Sequence, residues 1–99
     1  MLRGSTPTIR FTLPFSFSML AELWLTVSQN DREVFTVKKE RLTASGDQVS
    51  CKLTQEETLK LRHEQPAAFQ VRWKTNAGDS GGSKIKTVSV EKILKDGVI

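Results

Sequence analysis

The feature that most constrains this chain is strict alternation of apolar and polar residues, repeated along most of its length. A period of two places successive side chains on opposite faces of an extended strand, so one face is buried and the other solvated. In Thr8–Pro14, Ile9, Phe11 and Leu13 alternate with Arg10 and Thr12. In Glu22–Gln29, Leu23, Leu25 and Val27 alternate with Trp24, Thr26 and Ser28. Phe35 and Val37 alternate within Glu33–Lys38, and Asn30-Asp31 between these last two runs has turn chemistry, so residues 22–38 read as a hairpin.

The pattern continues with a short strand at Leu42–Ala44, a turn at Ser45-Gly46-Asp47, and a strand at Gln48–Leu53 whose Val49, Cys51 and Leu53 point inward. Phe69, Val71 and Trp73 alternate with Gln70, Arg72 and Lys74. Asn76–Ser83, with three glycines, reads as a flexible hairpin loop, and Ile85–Val90 as a last strand rich in β-branched residues. In that strand Ile85 is odd while Val88 and Val90 are even, which a bulge near Thr87 would reconcile. Thr54-Gln55-Glu56-Glu57 fits a capping box and predicts a short helix around 54–61. Further helical turns are expected at Ser16–Ala21 and Glu91–Lys95. Six or seven short strands with turn signals about every ten residues predict an all-β fold, an antiparallel β-sandwich forming one domain over residues 1–99.

Size and charge narrow the function classes. A chain of 99 residues buries a smaller fraction of its surface than a large enzyme and has little room for a deep pocket. The single cysteine, Cys51, allows no internal disulfide, which favours a reducing compartment. No run of eighteen apolar residues exists, so no transmembrane helix is expected; Phe11–Val27 superficially resembles a signal peptide, but Arg10 stands directly before it and Pro14, Ser16, Ser18 and Glu22 interrupt it. The net charge of +4 is unevenly placed. Residues 1–59 carry seven Lys/Arg and seven Asp/Glu, and residues 60–99 carry eight against four.

The candidates for chemistry each have a structural explanation. His63 lies in a polar connector with no Cys, His or carboxylate spacing of a zinc site around it. Cys51 has the inward parity of a core hydrophobe. Glu57 is explained by capping, and adjacent Glu56 and Glu57 cannot face each other on a helix. The run Gly78-Asp79-Ser80-Gly81-Gly82 lacks the Lys-Ser/Thr of a phosphate-binding loop. No catalytic residue, metal site or cofactor is expected, and the chain reads as non-enzymatic. One binding surface stands out. Arg72 and Lys74 share a strand face, Lys84 and Lys86 are expected on the corresponding face of the next strand, and Trp24 has outward parity. A basic face with an aromatic platform suits single-stranded nucleic acid; a solvated sheet face with a Lys-protected edge is the plainer reading. Trp24 alone would also be the stacking residue of a carbohydrate-binding module, although the chain has no Tyr.

Three stretches carry a resemblance: residues 3–15 (Arg3-Gly4-Ser5-Thr6-Pro7 through Phe15), Val49–Thr58 with its Leu53-Thr54-Gln55-Glu56 core, and the ending from Val88 to Ile99. Together they resemble small proteins of phages and prophages of Gram-positive bacteria, over nearly the whole chain. In order and length they also resemble the immunoglobulin-like N-terminal domain of phage baseplate upper proteins, which opens on an extended Pro-containing strand and places a Leu-Thr-x-Glu-type segment before a late hairpin. Here the late loop is Asn76-Ala77-Gly78 with extra glycines where that domain often carries Asp-Gly. The resemblance implies a baseplate or tail assembly role through contacts with other phage structural proteins, in the host cytoplasm during assembly and in the virion. Unpaired strand edges also make a homo-oligomer plausible on physical grounds. Neither nucleic acid nor carbohydrate is implied by the resemblance, and no membrane association is expected.

Overall fold

The structure, a computed structural model, describes all 99 residues. Eight antiparallel strands form two sheets: β1 (Thr8–Thr12), β2 (Leu20–Gln29), β3 (Arg32–Lys38), β4 (Thr43–Ser45), β5 (Gln48–Lys52), β6 (Ala67–Thr75), β7 (Ser80–Gly82) and β8 (Lys86–Val88). One sheet has the order β1-β5-β4, and the other β3-β2-β6-β7, with β8 also pairing β6. The fold is therefore the all-β sandwich the alternation predicts.

The hairpin of β2 and β3 forms because Asn30 and Asp31 both adopt positive φ, 52° and 61°. That backbone twists in the sense of the flanking strands, and Asn and Asp tolerate it better than most side chains. Gln29 pairs with Arg32 across the turn, and a register shift follows at Val27/Ser28. β2 also pairs β6 from Ser28↔Ala68 to Glu22↔Lys74. The inward residues are those of the sequence pattern: Leu23, Leu25, Val27, Phe35, Val37, Phe69 and Val71 from the larger sheet meet Leu13, Val49, Cys51 and Leu53 from the smaller sheet and its flanks.

The connector from β5 to β6 starts with α1 (Gln55–Leu59). Its capping box is complete: the Glu57 N–H donates to Thr54 Oγ1 at 3.2 Å and the Thr54 N–H donates to Glu57 Oε1 at 2.8 Å. Buried Gln29 then ties the connector down. Its Nε2 donates to the carbonyls of Arg62 and Gln65 at 2.8 and 2.9 Å, and the Arg62 N–H donates to its Oε1. A polar side chain inside a core is tolerated when its hydrogen bonds are met, and Gln29 meets three. Of the two further helical turns expected, Phe17–Met19 is a 3-10 turn, whereas residues 91–95 form no helix.

The glycine-rich segment is more ordered than its composition predicts. β7 lies inside it, with Trp73↔Gly81 and Arg72↔Gly82 paired. Gly81 is required there by packing: a Cβ would come within 2.6 Å of Trp73 Nε1. The Trp73 ring is held in turn by Phe15, edge-on at 5.5 Å. β7 and β8 occupy the same edge of β6, but their registers differ by one residue, Arg72↔Gly82 against Phe69↔Lys86. The bulge thus lies at Ser83–Ile85, earlier than the Thr87 the parity suggested. Ser83 bridges the break: its N–H donates to the Val71 carbonyl at 2.9 Å, and its Oγ accepts from the Val71 N–H at 3.1 Å.

Candidate functional site

The proposed face of Trp24, Arg72, Lys74, Lys84 and Lys86 divides in two, and the bulge at Ser83–Ile85 is the cause. Trp24 and Arg72 are cross-strand partners on β2 and β6, and Glu22 pairs with Lys74 beside them. Directly opposed residues point to the same face of a sheet. Trp24 also opposes Lys38 on β3, so the indole is flanked by a cation on either side. It is 40% exposed, and Arg72 Cζ stands 6.0 Å from its ring centroid. A cation–π contact at such an exposed site contributes about 0.5–1 kcal/mol and holds the guanidinium over the ring. Glu22, Trp24, Arg72, Lys74 and Ser80 line a shallow depression of about 190 Å³ on this outer surface. The sequence reading missed Lys38, although the outward parity of its strand gave the signal.

Lys84 and Lys86 stand elsewhere. Lys86 pairs with buried Phe69, which puts it on the core side of the sheet, at its edge. With the register displaced by one, the core-side residues of the last segment are Lys86, Val88 and Val90, and Ile85 turns out to solvent at 63% exposure. The four cations do not form one surface.

Lys84 and Lys86 border a second feature, a cleft of about 380 Å³ between the two sheets. On one side it is bounded by Thr8–Phe11 of β1; on the other by Ser83, Lys84, Lys86 and Val88. Leu25, Phe69 and Val71 form part of its lining, so it reaches the core. It exists because β1 is the edge of one sheet and β7–β8 the broken edge of the other, and neither strand closes over the gap. The cleft holds no carboxylate; its charged residues are Arg10, Lys84 and Lys86, and none of these is in an ion pair.

The residues weighed for chemistry occupy structural positions. Cys51 is buried at 1% exposure, and burial pushes its thiol above the ordinary range, away from the thiolate that reacts. The Arg41 guanidinium grips Glu57 with both terminal nitrogens, Nη2 at 2.6 Å from Oε1, while Nη2 also donates to the Lys52 carbonyl at 3.0 Å. Hydrogen bonding from Arg41, helped by the Thr54 N–H, holds the Glu57 carboxyl below its ordinary value. Three of the roughly four acceptor positions of this carboxylate are thus taken by the Arg41 guanidinium and the helix cap. His63 is exposed, in the connector after α1. No three His, Cys, Asp or Glu side chains converge as metal ligands, and no helix is long and apolar enough to cross a membrane.

No protein-family model, curated protein or solved structure matches this chain.

Proposed function

We propose that the chain is a non-enzymatic assembly module that acts through protein–protein contacts, in the baseplate or tail of a phage, as its resemblance to the immunoglobulin-like baseplate domain implies. The observation that supports this reading best is the open side of the sandwich, where the free edge of β1 and the broken edge of β7–β8 flank an apolar cleft. Unpaired strand edges are the usual means by which β domains join neighbours, and most proteins shield them. The expected result is that the chain co-purifies with intact phage particles in a fixed ratio to tail proteins and that tail or baseplate genes flank its own. Its absence from purified particles, together with a metabolic gene neighbourhood, would overturn the reading.

The Trp24 face supports a second reading, binding of single-stranded nucleic acid. The supporting observation is an exposed indole between Lys38 and Arg72, with Lys74 beside it. One stacked base contributes about 1–3 kcal/mol, so Trp24→Ala is expected to weaken binding of a labelled oligonucleotide at least fivefold. The phosphate contribution is largest at low salt, so an oligonucleotide that fails to bind there rules this reading out.

A further inference from the structure

We propose that the cleft between β1 and β8 is the docking site for an extended, acidic strand of a partner protein, in which apolar residues alternate with Asp or Glu. This rests on the assembly reading above and specifies the chemistry of the partner.

Hydrogen-bonding capacity is the first ground. The Leu13 N–H donates to the Asp47 carbonyl and the Leu53 N–H to the Pro7 carbonyl, at either end of the β1–β5 ladder. Between them the register pairs Phe11 with Val49 and Ile9 with Cys51. Bonded pairs alternate in an antiparallel ladder, so odd-numbered residues of β1 bond to β5, and Thr8, Arg10 and Thr12 direct their N–H and C=O groups away from it. Nothing else in the chain pairs with that edge. An incoming strand can add to it with full main-chain hydrogen bonding, which supplies affinity without specifying sequence.

The cleft beside that edge specifies the rest. Ile9, Phe11, Leu25, Phe69, Val71 and Val88 offer an apolar lining, into which every second side chain of the added strand would project. Its volume of about 380 Å³ falls within the range of built binding sites. Lys84 and Lys86 stand at the opposite rim, exposed and without carboxylate partners, and Arg10 lies on the β1 side. Cations of one sign around an apolar groove attract carboxylates and repel a basic strand. A strand of alternating apolar and acidic residues satisfies the edge, the lining and the rim together. The bulge at Ser83–Ile85 has a role in this arrangement, since it turns Lys86 toward the cleft that an unbroken strand would fill with an apolar side chain.

The test uses the whole chain and three fluorescently labelled ten-residue peptides of alternating pattern: Val/Glu, Val/Lys, and Val/Glu with Pro at alternate positions. Anisotropy is expected to show saturable, salt-sensitive binding of the Val/Glu peptide alone, at least tenfold weaker in Lys84→Glu/Lys86→Glu. Both lysines are exposed, so this variant keeps the fold, as its circular dichroism will show. The amides of Thr8, Arg10 and Thr12 should become protected from hydrogen exchange in the complex. Equal binding of the Val/Lys peptide, an unchanged affinity in the double variant, or no binding of the Val/Glu peptide would overturn the proposal. So would a concentration-dependent dimer by light scattering that Val/Glu peptide fails to displace, because a second copy would then fill the cleft. Failure here with the chain still present in phage particles sinks this inference alone; peptide binding by a chain absent from particles sinks only the phage assignment.

Discussion

Arg3 shows how much of this molecule depends on single side chains outside the strands. Its Nε donates to the Leu61 carbonyl at 2.6 Å, its Nη2 to the Leu59 carbonyl at 2.8 Å, and its Nη1 to Asp96 at 2.8 Å. One guanidinium thereby caps the C-terminal end of α1 and joins it to both ends of the chain. Such positions favour Arg, whose planar fork reaches several acceptors at once, over Lys. Arg3→Ala is expected to destabilise by about 2 kcal/mol, since it leaves two carbonyls without their donor. Arg3→Lys should recover less than half of that. The urea midpoint should fall at unchanged slope, and an unaltered midpoint in Arg3→Ala would contradict the capping role. Glu57 adds a pH dependence. Its carboxyl is held below the ordinary 4.5 by Arg41 and the cap, so the folded state favours the ionised form. The resulting stabilisation is complete above the ordinary carboxylate value and is lost as pH falls through the lowered folded value. Stability of the protein should therefore drop on acidification below about pH 4.5. Glu57→Gln, which keeps a capping-box acceptor at N3 but loses the charged pair with Arg41, should be weaker at neutral pH by roughly 1 kcal/mol and show a flatter profile. Parallel profiles for the two proteins would exclude this pair as the cause. Neither role of Arg3 was legible in the sequence, because its partners lie 56 to 93 residues away and no periodicity marks them. The cap of Glu57 was legible, because a capping box is local.

At the scale of elements the same division holds. β2, β3 and β6 are written in the sequence by long alternation, and Asn30-Asp31 writes their first turn. β7 is not, since Ser80-Gly81-Gly82 has almost no side chains with which to show a period, and it forms only because Trp73 and Lys74 already offer a paired neighbour. The cationic face failed for a related reason. Parity assigns a residue to a face only while the register is continuous, and the one-residue shift at Ser83–Ile85 moved Lys86 to the other side of the sheet. The mixed parity of Ile85, Val88 and Val90 did signal a bulge, but not its position. Ser83 is what makes the shift tolerable, because its hydroxyl accepts the Val71 N–H at the point where the ladder breaks. Ser83→Ala is expected to cost about 1 kcal/mol and to speed amide exchange at Val71 at least fivefold. Exchange at Val71 that matches the wild type would show that the ladder closes without the hydroxyl.

The whole molecule is elongated, 47 × 26 × 16 Å, and thin for its length. In so flat a sandwich one layer of side chains serves as the core for both sheets, so the sheets cannot be stable separately. Leu25 belongs to the five-stranded sheet and Leu53 follows the last strand of the other, and both are almost fully buried in one continuous cluster. Truncating either to alanine removes the same kind of contact from the same layer, at about 2–5 kcal/mol each. A domain of this size has only about 5–15 kcal/mol in total. Each single variant should therefore unfold in one transition at lower urea, and the double variant should be largely unfolded in buffer. Both tryptophans, Trp24 on β2 and Trp73 on β6, lie in the larger sheet, so Trp fluorescence reports that sheet, while far-UV circular dichroism reports both. Coincident transitions by the two probes are the expected result for Leu25→Ala and for Leu53→Ala alike. Separated transitions in Leu53→Ala, with Trp fluorescence unfolding later, would mean that the larger sheet survives loss of the smaller one. The open side of the sandwich sharpens this expectation. The shared layer is already incomplete between β1 and β8, so a strand bound in that cleft should raise both transitions together by supplying the missing side chains.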